Sequence, residues 1–269
     1  MNPDFQEKYG PWALVVGSVE GMGACYAERF AEQRLNVALL DYQAEPLVEQ
    51  AAAIEAQHGV STMTLVCDLS EPSQVVAALD ALADVEVGIV VCNAAFSSSG
   101  HWHAIDLATK QKMININCVS TTIIIDRLSR PMAGRGRGGI IFVSSMASLQ
   151  GSARQATYAA CKSFDLILGE SLWDELGENG VDVLTLIAPM VRTPAFERHA
   201  KHMKSTALLP IMAPADVVDE ALAALGREAS IVAGRNWRVL DFAMRRLMPR
   251  QAVIKMIGRQ MRSRFPGPS

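Results

Sequence analysis

The residues best suited to chemistry are a tyrosine and a lysine. Tyr158 and Lys162 lie four positions apart in a helical pattern, so the phenol and the ammonium share one helix face. A phenol with an ordinary pKa of about 10 exchanges protons poorly at neutral pH, but an adjacent cation stabilises the phenolate and lowers that pKa. Ser145 precedes the pair at the end of a predicted strand. We interpret the three residues as a proton donor and acceptor with a hydroxyl beside it.

A glycine-rich run follows the first predicted strand. The run Gly17–Gly23, with the sequence GSVEGMG, leads directly into a predicted helix. Glycines let a backbone turn tightly and approach a pyrophosphate, whose charge the helix N-terminus stabilises. An ordinary strand-to-helix turn is the alternative. The position of the run after the first strand of an alternating pattern favours a dinucleotide site.

Asp41 closes the second predicted strand, where a carboxylate can accept hydrogen bonds from the ribose hydroxyls of adenosine. A 2′-phosphate would be repelled at this place. No Arg or Lys lies next to Gly17 or directly after Asp41 to offset the repulsion. The sequence therefore favours NAD over NADP as the cofactor. The alternative is that Asp41 merely caps the following helix.

Short apolar runs alternate with longer helical patterns along the chain. The runs lack polar alternation, as expected of strands in a parallel sheet that helices cover on both faces. The predicted strands are Trp12–Val16, Asn36–Leu40, Thr62–Val66, Val87–Cys92, Ile140–Ser144, Val181–Ile187 and a last run near Ile231. The predicted helices are Met22–Arg34, Ala44–Gln57, Pro72–Leu82, Leu107–Met132, Gln155–Leu176 and Pro214–Leu225. We expect one α/β domain with a doubly wound, mostly parallel, seven-stranded sheet flanked by helices.

The composition limits the classes of partner. The chain has 269 residues, a net charge of −3 and 50% hydrophobic residues, which fits a single domain over residues 1–269 and argues against a nucleic-acid partner. Five cysteines without a C-x-x-C pair fit a reducing compartment. No run approaches the ~20 apolar residues of a membrane span, and the first residues lack the apolar core of a signal peptide. We expect a cytoplasmic protein without a bound metal.

The motifs, in their order from Val16 to Thr193, resemble those of the short-chain dehydrogenase/reductase family. The resemblance implies a Rossmann-type fold and hydride transfer between a nicotinamide and an alcohol or ketone. It implies a catalytic tetrad of Asn117, Ser145, Tyr158 and Lys162. The cofactor contacts that it implies are Gly17, Glu20, Gly21, Met22, Gly23, Asp41, Asp68, Leu69, Asn93, Ala94, Ala95, Tyr158, Lys162, Pro189, Val191 and Thr193.

The resemblance also implies a role for each member of the tetrad. Ser145 would bind the substrate oxygen, Tyr158 would exchange the hydroxyl proton, and Lys162 would stabilise the phenolate and bind the nicotinamide ribose. Asn117 would hold a water that links Lys162 to solvent. Taken singly, these residues are also explained as a helix cap or bend, a strand-end hydroxyl and an exposed helix pair, but their joint spacing favours the catalytic interpretation. A homotetramer or homodimer through the helices containing Asn117 and Tyr158 is implied as well.

Five positions depart from the commonest residues of the family. Val16 stands where Thr is usual and loses a hydroxyl that would tie the first turn to the fourth strand. Met190 stands in place of Gly and adds bulk beside the nicotinamide. Cys92 replaces Asn, and Ala95 and Ser120 stand where Gly is usual. None of these changes removes a proton-transfer group, so we expect an altered pocket shape with the chemistry retained.

The long irregular segment Met190–Ala213 is our candidate substrate lid, over about residues 190–213. Its apolar residues indicate a hydrophobic alcohol or ketone, unless they pack on the protein itself; they are Phe196, Met203, Leu208, Leu209, Ile211 and Met212. His101, Trp102 and His103 follow the fourth strand and could face the same cleft. Two histidines without a third ligand do not predict a metal site.

The segment Arg227–Arg264 is rich in arginine and predicts a basic amphipathic surface helix. Its apolar residues include Leu240, Phe242, Met244, Leu247, Val253, Ile254, Met256 and Ile257. Such a helix can bind an anionic membrane surface, contact a partner subunit or cap the fold. We favour packing or an oligomer contact over membrane binding.

Two alternatives to an NAD-dependent dehydrogenase remain. One is an NADP-dependent reductase of the same family, in which Asp41 would have to turn away from the ribose. The other is a regulator that senses the dinucleotide without turnover, for which we expect a damaged tetrad. The tetrad of this chain is intact.

Overall fold

The computed structural model describes residues 3–200 and 210–265. Its strands are β1 Trp12–Val16, β2 Asn36–Asp41, β3 Thr62–Val66, β4 Val87–Cys92, β5 Gly138–Ser145, β6 Val181–Ala188 and β7 Ser230–Val232. They form one sheet in the order β3-β2-β1-β4-β5-β6-β7, and every neighbouring pair is parallel. The predicted doubly wound sheet is confirmed, and within the described residues it is parallel throughout.

Helices cover both faces of the sheet. They are α1 Pro3–Tyr9, α2 Gly21–Glu32, α3 Ala44–His58, α4 Pro72–Asp80, α5 Leu107–Ile114, α6 Ser120–Arg135, α7 Ala156–Gly177, α8 Pro194–Ala200, α9 Pro214–Ala224, α10 Arg235–Arg246 and α11 Arg250–Arg264. Helices α2, α3 and α9 pack on one face, and α4, α6 and α7 pack on the other. Alternate residues of β1 enter the two cores, Ala13 and Val15 on one side and Leu14 and Val16 on the other. Burial on both faces explains why the strands show no polar alternation.

The sheet reverses its winding direction between β1 and β4. The chain passes outward from β1 to β2 and β3, and then returns to the other side of β1 with β4. The connections that leave β1 and β4 therefore diverge at the carboxyl edge of the sheet. Ligands of doubly wound folds bind in the crevice that such a divergence opens.

The helix predicted at Leu107–Met132 is interrupted. Helix α5 ends at Ile114, a π-helical turn spans Asn115–Val119, and α6 continues to Arg135. A π turn accommodates one extra residue within a helix that otherwise keeps its direction. Hydrophobic periodicity over the whole stretch does not reveal it.

The described part of the candidate lid contains more regular structure than we expected. It contains α8, and Val191 and Met212 form a parallel bridge that closes its two ends. Phe196 lies in α8 and is partly buried. Three of the residues that we assigned to the lid, Met203, Leu208 and Leu209, lie outside the described residues.

The C-terminal segment forms two helices after β7, with Pro249 between them. Met244 and Val253 are buried, whereas Phe242 is 61% and Leu247 is 73% exposed. One side of the segment packs on the fold, and the single helix that we expected is two helices. No helix in the described part of the chain is both long and apolar enough to span a membrane.

Candidate active site and cofactor cleft

The turn between β1 and α2 brings two backbone segments into close approach. Gly17 has a φ of 78°, and a Cβ there would lie 2.7 Å from the Cα of Ala94, just after β4. A Cβ on Gly23 would lie 1.8 Å from the carbonyl oxygen of Gly17. Glycine tolerates both the positive φ and the close contact, so α2 begins directly against the edge of the sheet.

The first turn of α2 can receive an anion. Its N-cap residue, Glu20, makes no side-chain capping hydrogen bond, and no acidic residue lies in the first turn. The N–H groups that begin this helix therefore remain for an anionic ligand. A Cβ on Gly21 would lie 2.7 Å from the Cγ2 atom of Thr193, so Thr193 lies directly over the glycine turn. The glycine-lined cradle and the uncapped helix start together fit a dinucleotide pyrophosphate.

The missing threonine hydroxyl at Val16 does not leave the first turn loose. The side-chain amide of Asn93 donates to the carbonyl oxygen of Gly17 at 2.8 Å. The backbone N–H groups of Asn93 and Ala94 both donate to the carbonyl oxygen of Val16, at 3.2 and 2.8 Å. We expected Val16 to lose a tie between the turn and β4, and Asn93 supplies one.

Asp41 lies at the end of β2 with its carboxylate against the glycine turn. One oxygen accepts the N–H of Val19 at 3.3 Å, and the other accepts the N–H of Gln43 at 3.2 Å. The N-cap residue of α3 is Gln43, so Asp41 is not the cap of the following helix. The side chain is 7% exposed and is oriented by two backbone donors. An oriented carboxylate at this edge of the sheet can accept hydrogen bonds from the hydroxyl groups of a ligand.

Asp68 and Leu69 follow β3 at the same edge of the sheet. The Asp68 carboxylate accepts the N–H and the hydroxyl of Ser70, at 2.9 and 2.7 Å, and these hydrogen bonds hold the pKa of Asp68 below its ordinary value. Leu69 is buried in the core. Thr193 accepts the N–H of Phe196 at 3.1 Å and so begins α8 over the cleft.

Asn117 is buried in the π turn, and both protons of its side-chain amide are donated to the backbone. Its oxygen accepts the N–H of Phe96 at 3.2 Å, and its nitrogen donates to the carbonyl oxygens of Phe96 and Met113, at 2.8 and 2.7 Å. The side chain thereby fastens the loop after β4 to the helix. It is neither a helix cap nor an exposed bend residue.

Ser145, Tyr158 and Lys162 meet where β5 ends and α7 begins. Ser145 is the last residue of β5, and its hydroxyl accepts the N–H of Ala147 at 3.2 Å. Tyr158 lies partly exposed in the first turn of α7. Lys162 lies one turn later, 3% exposed, and its ammonium donates to the carbonyl oxygen of Val143 in β5 at 2.8 Å. A buried lysine pressed against the strand is not the exposed helix pair that chance spacing would give.

Two charged contacts near the cleft were not predicted from the sequence. The ammonium of Lys162 also donates to the Asp165 carboxylate at 2.9 Å, within the core. The sequence contains one signal for this contact: an acidic residue lies three positions after the lysine, on the buried side of the same helix. Arg198 of α8 forms a two-armed ion pair with Glu20, at 2.7 and 3.0 Å, which joins the lid to the glycine turn. No local pattern connects positions so distant in the sequence.

An apolar wall lies beyond the end of β6. Met190 packs against a cluster whose buried members are Leu149, Leu166, Ile187, Val232 and Trp237, with Met146, Met212 and Leu240 beside them. One guanidinium nitrogen of Arg264 in α11 lies 3.8 Å from the Met190 sulfur. The added bulk at Met190 thus faces the C-terminal helices.

The histidines of the loop after β4 are exposed. The rings of His101 and His103 are 5.8 Å apart, and Trp102 is 51% exposed with the Lys110 ammonium 4.4 Å from its ring centre. Over residues 3–200 and 210–265, no group of three or more His, Cys, Asp or Glu residues is placed to hold a metal ion.

Comparison with known proteins agrees with this geometry. The model of the short chain dehydrogenase family matches residues 11–204. A 7beta-hydroxysteroid dehydrogenase of Collinsella aerofaciens is 30% identical over 235 residues, which cover 87% of this chain and 89% of the relative. A solved structure of a 7beta-hydroxysteroid dehydrogenase superposes with a TM-score of 0.87 at 27% identity, covering 94% of this chain and 98% of the other. A short-chain dehydrogenase from Sphingobium yanoikuyae, solved in complex with NADPH, superposes with a TM-score of 0.76 at 26% identity, covering 89% and 95%.

The matched region spans the glycine turn, the π turn and the Tyr158–Lys162 helix. The predicted family and the predicted class of enzyme are confirmed. This chain belongs to the short-chain dehydrogenase/reductase family, whose members are NAD(P)-dependent oxidoreductases acting on CH–OH groups.

Proposed function

We propose that this protein interconverts a bulky, apolar secondary alcohol and its ketone, of hydroxysteroid type, with Tyr158 as general acid and base. The main support is the position of Lys162, buried one turn after Tyr158 and fastened to the strand that ends at Ser145. The hydroxysteroid dehydrogenases among its relatives support the substrate class. The intact tetrad speaks against a regulator without turnover.

Each residue of the tetrad has a defined task in the proposed mechanism. The Ser145 hydroxyl accepts the N–H of Ala147 and keeps its own proton to donate to the substrate oxygen. Tyr158 gives a proton to that oxygen during reduction and takes it during oxidation. The Lys162 cation stabilises the phenolate that forms. A bound nicotinamide supplies or accepts the hydride.

Asn117 acts in this mechanism through its backbone and its fixed position. Its side-chain amide is spent on Phe96 and Met113, so it has no donor left for a water. We infer that a water linking Lys162 to solvent binds the Asn117 backbone carbonyl oxygen, which also accepts the Thr121 hydroxyl at 3.3 Å.

The dinucleotide is held by the residues around the glycine turn. Gly17, Gly21 and Gly23 would admit the pyrophosphate, and Asp41 would accept the ribose hydroxyls. Tyr158 and Lys162 would meet the nicotinamide end. We assign the remaining cofactor contacts to Glu20, Met22, Asp68, Leu69, Asn93, Ala94, Ala95, Pro189, Val191 and Thr193.

We infer a preference for NAD over NADP. Asp41 and Glu20 put two carboxylates beside the glycine turn, and the one arginine that contacts them in the described residues, Arg198, is paired with Glu20. A relative solved with NADPH shows that the family also accepts the phosphorylated cofactor. We therefore base the preference for NAD on the carboxylates of Asp41 and Glu20 beside the glycine turn.

Wild-type protein is expected to bind NADH at least about tenfold more tightly than NADPH, since hydrogen bonds to a charged acceptor are worth about 1.5–3 kcal/mol. Asp41→Ala should weaken NADH binding and relieve the repulsion of the 2′-phosphate of NADPH. The ratio of the two dissociation constants, NADPH to NADH, should therefore approach one. Fluorescence titration of both cofactors measures this. Tighter binding of NADPH by the wild type would contradict the inference.

The apolar cluster beyond the end of β6 supports an apolar substrate. Met146, Met190 and Met212 line one cluster with Leu149 and Trp237, and flexible thioether side chains adapt to broad apolar ligands. The described ends of the candidate lid adjoin this cluster, since Met190 and Met212 pack against it and Val191 and Met212 form a bridge. Packing of these residues on the protein itself accounts for part of their burial, and Met190 and Met212 remain partly exposed.

Turnover on a substrate panel tests the proposal. Hydroxysteroids and oxosteroids, bulky ketones and short aliphatic ketones are each assayed with NADH and NADPH. We expect kcat/KM to rise with the apolar bulk of the substrate. Turnover confined to short or charged substrates would refute the substrate class, and cofactor binding without turnover would favour the sensing regulator.

The C-terminal helices and the outer face of α7 suggest an assembly. Helix α11 packs on the loop before α7, where a Cβ on Gly258 would lie 3.6 Å from the Ala153 methyl group. Phe164, Ile167 and Trp173 of α7 are 37%, 60% and 41% exposed. We propose that α11 caps the cleft and that the α7 face forms a homo-oligomer contact, with membrane contact the lesser alternative. A mass of 29.1 kDa by light scattering would exclude the oligomer.

We propose a cytoplasmic location from the cysteines. All five are free thiols, and Cys67, Cys92 and Cys161 are buried. Such thiols persist in a reducing compartment. Fractionation of the cells that make the protein would test the location.

A further inference from the structure

A buried carboxylate contacts the proposed catalytic lysine, and the mechanism above does not use it. Asp165 lies three residues after Lys162 on α7 and is 4% exposed. One of its oxygens accepts the Lys162 ammonium at 2.9 Å, and the other has no hydrogen-bond partner in the part of the chain that the structure describes. Burying a carboxylate is costly unless it is paired, so this arrangement indicates a specific role.

The ammonium of Lys162 has three protons, and two of them are assigned. One is donated to the Val143 carbonyl oxygen and one to Asp165. The third remains for the cleft, where Tyr158 lies. The carboxylate and the strand thus fix the direction in which the lysine can act.

Asp165 also controls the charge of the lysine. Burial by itself lowers the pKa of Lys162, but the Asp165 carboxylate, together with the Tyr158 phenolate, more than offsets that effect, so the pKa is raised. The pKa of Asp165 is raised by burial, and Lys162 partly offsets this. Without Asp165, only the charges of Tyr158 and Cys161 would oppose the effect of burial on the pKa of Lys162.

The other titratable groups around this pair are Tyr158, Cys161, Cys92 and Cys118. Burial raises the pKa of the Cys92 thiol at the end of β4. A hydrogen bond with Cys161 raises the pKa of Cys118 in the π turn. Among the described residues that act on the Lys162 ammonium, Asp165 is the one with a carboxylate; the others are a phenol and a thiol.

We propose that Asp165 is a positioning residue that keeps Lys162 charged and fastened to β5, and thereby sets the pH range in which Tyr158 exchanges its proton. The inference rests on the proposed function, because it assigns a use to the Tyr158–Lys162 pair. Asp165 acts through Lys162 and does not touch the substrate.

Asp165→Asn keeps the shape of the side chain and removes its charge. Lys162 should then lose its proton at lower pH, and a neutral amine stabilises the phenolate less. We expect the pH profile of kcat/KM for alcohol oxidation to move upward by about one unit, with activity recovered at high pH. The matched control is Asp174→Asn, an exposed residue of the same helix, whose profile should superpose on that of the wild type.

A second measurement needs no substrate. The ultraviolet difference titration of the wild type minus Tyr158→Phe isolates the ionisation of Tyr158, and its midpoint should rise in Asp165→Asn. Burial raises the pKa of Tyr9 and of Tyr26, and the signal of the exposed Tyr42 cancels in the difference because both proteins contain it. If Asp165→Asn fails to fold by circular dichroism, Asp165→Ser provides the same comparison with space for a water.

An upward shift of the Tyr158 midpoint supports the inference. A midpoint that is unchanged, or that moves downward, overturns it, as does a shift of equal size in Asp174→Asn. If no substrate is turned over, the proposed function fails while the phenol titration still decides the role of Asp165.

Discussion

Replacing Tyr158 with phenylalanine is expected to lower kcat by about 10²–10⁴-fold, which is the usual contribution of a positioned general acid or base. Tyr158 lies in the first turn of α7, one turn before the Lys162 ammonium. Phenylalanine keeps the ring and removes the proton that we propose is exchanged. Steady-state rates on the best substrate of the panel, in both directions, measure the loss.

The loss should be confined to the chemical step. NADH affinity and the melting temperature of Tyr158→Phe should stay close to those of the wild type, because only one partly exposed hydroxyl is lost. Tyr26→Phe is the matched control, since the Tyr26 hydroxyl is buried in the core without a hydrogen-bond partner among the described residues. Its removal should leave kcat unchanged. Full activity in Tyr158→Phe would assign the proton to another group.

Gly23→Ala is expected to abolish measurable NADH binding and to destabilise the fold by about 1–3 kcal/mol, as overpacking does in well-packed cores. The new methyl group would lie 1.8 Å from the Gly17 carbonyl oxygen and 2.8 Å from the Asn93 amide nitrogen. Relief of this clash must push α2 away from β1, and the cradle for the pyrophosphate would open. NADH fluorescence titration and thermal denaturation measure the two effects.

The control for this substitution is Gly134→Ala in α6. A Cβ at Gly134 meets no heavy atom within 4 Å, so alanine should stabilise the protein by about 0.5–1 kcal/mol through the loss of glycine's backbone entropy. Cofactor binding should not change. Equal losses in both variants would mean that the glycine turn has no special role in binding the cofactor.

The strands could be predicted from the sequence because a doubly covered sheet demands continuous apolar runs. The limits of β1, β3 and β4 agree with the predicted runs, and the buried residues of β4 occupy all six positions. The glycine turn and the Tyr158–Lys162 spacing were visible because they are local patterns. Both depend on residues within one or two turns of each other.

The features that the sequence did not reveal depend on contacts between distant segments. The amide of Asn93 and the carbonyl of Gly17 come together only when β1 and β4 become neighbours. Asp165 has a local signal in its spacing from Lys162, but its burial depends on the packing of α7 against β5. The π turn has no signal in hydrophobic periodicity, because the helices on either side keep their apolar faces.

The π turn contains one residue more than a regular α-helix over the same distance. A regular helix from Leu107 to Arg135 would need one residue fewer, and both flanking helices would keep their buried faces. The additional residue lies in the π turn itself. It lets the Asn117 amide reach the carbonyl oxygens of Phe96 and Met113 at once. Deleting a single residue here would therefore leave a folded protein with a regular helix and a loop after β4 that is no longer fastened.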